Sequence, residues 1–153
     1  MSAKALNDPY AKAEILSRLR RLPADAPRLW GKMTAAQMIC HLNDSFCGVM
    51  GERAVKIPRF SVWRLIKCGA LYMPMKWPHG VKTRPELEQG VGGTPPAEFE
   101  MDRRELLETI ERFLQQPRPF TFRPHPMFGA MSEKDWMRWG YLHCDHHLRQ
   151  FRQ

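Results

Sequence analysis

The sequence predicts an all-α fold: a four-helix bundle with a crossover connection and an accessory short helix, in a single domain over residues 1–153. Three observations carry that expectation. Four long segments repeat apolar residues at i, i+3 and i+4, the period of a helix with one buried face. No stretch alternates apolar and polar residues as a half-buried strand would. The long stretch between the second and third of these segments is too extended for a plain hairpin, which implies a crossover.

The first helix lies within NDPYAKAEILSRLRRL. Asp8 suits the N-cap and Pro9 the first helical position, and Ile15, Leu19 and Leu22 share a face. Pro23 and Pro27 bracket a connector. The second helix is expected from Thr34 to Val49, opened by Thr34-Ala-Ala-Gln37. That is a capping box, in which threonine and glutamine satisfy the orphan N–H groups of the first turn reciprocally. Gly48 and Gly51 mark its exit.

Residues 52–96 are harder to read. RFSVWRLIKCGALYMPMKW suits an accessory helix from Arg59 to Met73, and Pro74, Pro78 and GVGGTPP break the chain after it. Apolar residues alternate there with Arg59, Arg64 and Lys67, the composition of an interfacial helix, but packing on the domain or lining a pocket mouth is the preferred reading. The third long helix runs from Ala97 to Gln115, where Phe99, Arg103, Leu106, Leu107, Ile110, Phe113 and Leu114 form the stripe. The last starts near Ser132, with Asp135 in the first turn.

Size and composition narrow the class. A chain of 153 residues buries roughly 70% of the surface its unfolded form exposes. No apolar run spans a bilayer, and Met1–Pro9 lacks the apolar core of a signal peptide. Cys40, Cys47, Cys68 and Cys144 form no C-x-x-C pair, so a reducing, cytoplasmic setting is expected and cysteine-held zinc is not. The net charge of +8 is read as scattered clusters: Arg18, Arg20 and Arg21, Arg53 and Lys56, Arg103 and Arg104, Arg149 and Arg152. Without a basic run or a stacking-strand pattern, nucleic acid is not favoured as a partner. No membrane partner is expected. A solvated basic surface or a small anionic substrate suits the charge better.

The chemistry concentrates in YLHCDHHLRQF, residues 141–151. On a helix, with His143 at zero, His147 falls near about +40°, Trp136 about +20°, Gln150 about −20°, Trp139 about −40° and His146 about −60°. Thus His143 and His147 share the apolar face with the tryptophans, and His146 sits at its edge. One turn of separation lets two imidazoles reach one cation. The ordinary alternative is a pair of hydrogen-bonded core histidines. A tryptophan-rich face offers few partners, though, and each unmatched buried polar group costs about 1–3 kcal/mol. His41, on the border of the second helix, is the candidate third ligand, the ordinary alternative being a boundary histidine that faces water. Its stripe contains Thr34, Gln37, Ser45 and Gly48, so Gln37 and Ser45 are candidates to hydrogen-bond it, and Asp44 could orient the ring or bind the metal itself. Cys40 and Cys144 point away from these stripes. Trp63, Tyr72, Trp77, His79 and His125 could border a pocket, but none is singled out.

WGKMTAAQMICHL, HPMFGAMSEKDW and HCDHHLRQF in this order resemble the DinB/YfiT-like superfamily of four-helix metalloproteins, and most of all a branch described as a domain of unknown function. The resemblance covers nearly the whole chain. It implies that His41, His143 and His147 are the metal ligands, and that His146 and Gln150 belong to the recurrent H-x-x-H-H-x-x-Q pattern. Leu148-Arg149 stand where many members carry Arg-Gly, a departure that leaves the ligands untouched and bears on the substrate. Three imidazoles suit Zn, Ni or Fe and leave an open position. There a small thiol or a water molecule would be activated for transferase-like or hydrolase-like chemistry, with Asp44 or His146 as proton acceptor in the second case. The alternative is a non-catalytic, metal-stabilised stress-associated or binding protein. The resemblance also implies a possible homodimer.

Overall fold

The computed structural model describes residues 3–58, 62–74 and 76–153, with only the backbone described for Trp63 and Arg64. Among the described residues are five α-helices: α1 Pro9–Arg21, α2 Ala35–Met50, α3 Trp63–Tyr72, α4 Phe99–Leu114 and α5 Glu133–Arg149. A single 3-10 turn covers Pro85–Leu87, and no strand occurs among the described residues. The expected start of the accessory helix at Arg59 lies outside the described residues.

Local chemistry sets the helix ends. The Asp8 carboxylate accepts from the Ala11 amide at 2.8 Å, with Pro9 at the first position. Thr34 and Gln37 close a reciprocal capping box on α2. Ser132 and Asp135 do the same on α5. Each such cap is worth about 1 kcal/mol. On α4 the Glu98 carboxylate caps the Glu100 and Met101 amides, so this helix opens later than Ala97. At the end of α2, Gly51 takes the left-handed conformation (φ 84°) that closes the helix. Gly48 is different. It lies inside α2, where a Cβ would stand 3.0 Å from Val55 Cγ2, so it provides a close approach and no exit.

Among the long helices, α1 meets α4 and α5, and α2 meets α4 and α5. The closest backbone contacts therefore run in a closed ring, α1–α4–α2–α5, with α1 and α2, and α4 and α5, as the diagonal pairs; α4 and α5 meet through side chains such as Phe113 and Trp139, 6.3 Å apart. Accessory α3 rests on α5. Aromatic rings from three helices fill the centre, with Phe46 lying 4.9 Å from Phe113 and 5.4 Å from Trp139. All three are essentially fully buried, and each such side chain contributes roughly 1.5–3 kcal/mol over leaving it in water. The Pro85–Leu87 turn docks on α2.

Candidate metal centre

His41 projects from α2 and His143 and His147 from α5, two helices that pack against each other. Their ring centroids are 5.5 Å (His41–His143), 4.8 Å (His41–His147) and 4.9 Å (His143–His147) apart. One nitrogen from each lies within 4.8 Å of the others. Tetrahedral ligands about 2.1 Å from an ion would be about 3.4 Å apart, a contraction within reach of small side-chain rotations. His41 is buried, and the other two are partly so.

Hydrogen bonds prepare two of the rings for a cation. His41 Nδ1 lies 3.0 Å from the Leu87 carbonyl oxygen. A carbonyl can only accept, so Nδ1 carries the proton and Nε2 keeps a free lone pair. His147 Nδ1 faces Gln150 Oε1 at 3.2 Å. The Gln150 amide nitrogen donates to the Trp30 carbonyl at 2.7 Å, which fixes the orientation of the amide and makes His147 Nδ1 the donor. The third ring gives the decisive observation. His143 Nε2 is buried without any hydrogen-bond partner. Burial pushes the basicity of all three histidines below the ordinary imidazole value, and the neighbouring imidazoles push His143 and His147 further. They are therefore neutral at pH 7, the form that ligates a metal.

A family model described as "Protein of unknown function (DUF1569)" matches residues 8–153. The chain belongs to the DUF1569 family. No curated protein and no solved structure matches it. The DUF1569 match runs from the N-cap of α1 through α5, so both halves of the histidine cluster lie inside it.

The remaining candidates in this DUF1569 chain take several places. His146 stays outside the cluster. Its ring lies 5.1 Å from that of His147, and its Nδ1 is buried without a partner. Burial lowers its pKa to about 4. Gln150 serves as the partner of His147. Gln37 is engaged in the α2 cap. Ser45 donates to the His41 carbonyl at 2.8 Å, contacting its backbone and not its ring. Both Asp44 oxygens face elsewhere: they accept from the Thr94 amide and hydroxyl, each at 2.7 Å, and Oδ1 pairs with Arg53 at 3.1 Å. Trp136 packs on Phe122, His125 and Trp139. The tryptophan against His143 is Trp139, at 5.0 Å. Cys40 and Cys144 are buried free thiols, with burial pushing both up to about 12, so they pack and do not react.

Three further features complete the site: Trp77 and His79, expected as possible pocket borders, lie beside it, while Trp30 and the Leu87 carbonyl are not legible in the sequence. Trp30 stacks on His79 at 4.1 Å and stands 6.1 Å from His146. Trp77 lies 6.2 Å from His143 and 6.1 Å from His146. These rings form an aromatic rim beside the cluster. The third is the Leu87 carbonyl, a backbone group with no side-chain signature. Gly31 is a usable signal. Its φ is 80°, and a Cβ there would fall 2.3 Å from the Gln150 amide nitrogen, so only glycine lets the Trp30 loop close on Gln150. A surface hollow of about 370 Å³ beside Met50 and Phe122 is remote from the histidines and has no part in the site.

Proposed function

We propose that this chain is a metal-dependent enzyme of DinB-like, four-helix-bundle type, with one divalent transition ion (Zn, Ni or Fe) held by His41, His143 and His147. The observation that carries this is the buried, partnerless Nε2 of His143, on a ring that belongs to a cluster whose other two members are held with Nδ1 as donor. Orphaned buried polar atoms are uncommon in folded proteins, and a cation removes the cost. The closed ring of contacts among the four long helices supports the bundle assignment. When bound, the ion would supply Lewis acidity at an open position, activating a small thiol or a water molecule.

The chain's own residues divide the remaining work. Leu87 and Gln150 hold the His41 and His147 rings in position. Trp139 closes one side of His143 and excludes water there. His146 lies beside the cluster with a partnerless Nδ1 and is the proton acceptor placed there, a weak base because burial lowers its pKa to about 4, while Asp44 is engaged with Thr94 and Arg53. Trp30, Trp77 and His79 border the approach of the small-molecule substrate.

The test is metal analysis of purified protein by mass spectrometry, followed by thiol titration of a cobalt-substituted sample. Stoichiometric metal is expected in the native chain and in His146→Ala, and loss of metal in His41→Ala, His143→Ala and His147→Ala. A charge-transfer band on adding thiol supports the transferase route. Its absence, with water the only further ligand, favours hydrolysis or a purely structural ion. Metal retained by His147→Ala but lost by His146→Ala would overturn the ligand assignment.

A further inference from the structure

We propose that the outward face of α3 docks on an anionic lipid surface. The sequence carries the first half of the case. Residues 53–85 contain Arg53, Lys56, Arg59, Arg64, Lys67, Lys76, Lys82 and Arg84, and not one Asp or Glu. These eight cations equal the net charge of the whole chain, +8, so everything outside this segment balances to neutrality. The charge that looks scattered when basic clusters alone are counted is concentrated once acids are set against them.

The structure carries the second half. On and beside α3, Val62, Leu65, Ile66 and Met73 are 59%, 82%, 49% and 50% exposed. With Gly69 they follow i, i+3, i+4, i+7 and i+11, one continuous stripe along the helix. The helix is inside out relative to its neighbours, because polar bonds fasten its inner side. Lys67 reaches the Ala130 carbonyl and Asp135. Arg138 donates to the Leu71 carbonyl and Trp77 to the Ala70 carbonyl. Of the core residues of α3, Leu71 alone is fully buried among those described. Seven of the eleven large exposed apolar residues of the described chain fall within residues 53–85, so the exposure is a patch and not scatter.

An apolar stripe on a short helix within a segment whose sequence carries cations and no acids is the pattern of an interfacial helix, whose binding adds buried apolar area to attraction for acidic headgroups. At 10 residues α3 is too short to span, and no helix of the described residues can cross a membrane. Lys56, Lys76 and Lys82 are exposed and have no ion pair among the described residues, leaving them available to phosphate headgroups. A second copy of the chain fits less well, since pairing through this face would press two acid-free cationic segments together. The proposal does not depend on the metal reading.

Sedimentation with vesicles of phosphatidylcholine alone, and of phosphatidylcholine mixed with phosphatidylglycerol, tests it. The full chain is expected to pellet with the mixed vesicles and not the neutral ones, and to be released by high salt. Leu65→Glu should weaken vesicle binding by roughly tenfold or more, and Lys76→Gln by about fivefold. Thermal melting of both variants should match the native chain, because neither side chain is buried. Failure to pellet with anionic vesicles overturns the proposal, and so does undiminished binding by Leu65→Glu. A dimer in solution that Leu65→Glu dissociates, without vesicle binding, would assign the face to a second copy instead.

Discussion

The Nδ1 of His125 accepts backbone amides from Met127 and Phe128 at 3.1 and 3.2 Å, inside a tight turn closed by paired bonds between His125 and Gly129. Only the neutral ring can accept those bonds, and burial lowers its pKa to about 3. The unfolded chain regains an ordinary imidazole value near about 6.5 and so binds the proton more readily than the folded chain. The stabilising effect of a depressed histidine is therefore complete above about pH 6.5 and is lost as pH falls from there toward about 3. Urea unfolding of metal-free protein at pH 7 and pH 5 should show lower stability at pH 5. His125→Gln, which lacks the titration, should show a smaller difference between the two pH values. An unchanged difference would mean that His125 does not drive the acid sensitivity.

At the scale of elements, the return of residues 84–94 over α2 is what gives His41 its hydrogen-bond partner. Arg53 clamps this segment. Its guanidinium donates to the carbonyls of Glu86 and Gly92 and to the Thr94 hydroxyl, and it pairs with buried Asp44. Arg53→Ala should free the segment, leave Asp44 without its counter-charge, and weaken metal binding by about tenfold through His41, in line with outer-shell effects on metal ligands. Faster hydrogen exchange at the Thr94 amide, with unchanged exchange along α5, is the accompanying signature. Equal metal affinity in the variant would detach the clamp from the site. The sequence makes the four long helices legible to within a few residues, because side-chain caps at Asp8, Thr34 and Ser132 write their starts directly. It makes the convergence of His143 and His147 legible too, through a fixed helical angle. It cannot disclose the Leu87 carbonyl or the Arg53 clamp, since both depend on where a chain segment without periodicity comes to rest. The accessory helix packs on α5 as expected, but periodicity alone does not say that its apolar stripe faces outward.

For the molecule as a whole, the ring of helix contacts leaves α2 and α5 meeting at the histidine cluster. An ion that binds there and not to the unfolded chain would stabilise the fold by mass action, by about 2.7 kcal/mol at a hundredfold excess over its dissociation constant. For a chain of this size that is a shift of roughly 5–10 °C. Differential scanning of metal-loaded protein with and without chelator should show it. Identical melting, in a sample first proven to hold metal, would argue against a tight native site.

The same convergence of His41 with His143 has a topological meaning. Bringing together two points about a hundred residues apart on a loose chain costs on the order of 4 kcal/mol of loop entropy. A cation shared by them would act as a removable staple across most of the polypeptide, fastened only after the bundle had drawn its ends together. Scarcity of that cation in the surroundings would then shorten the life of the folded form even where no substrate was ever turned over.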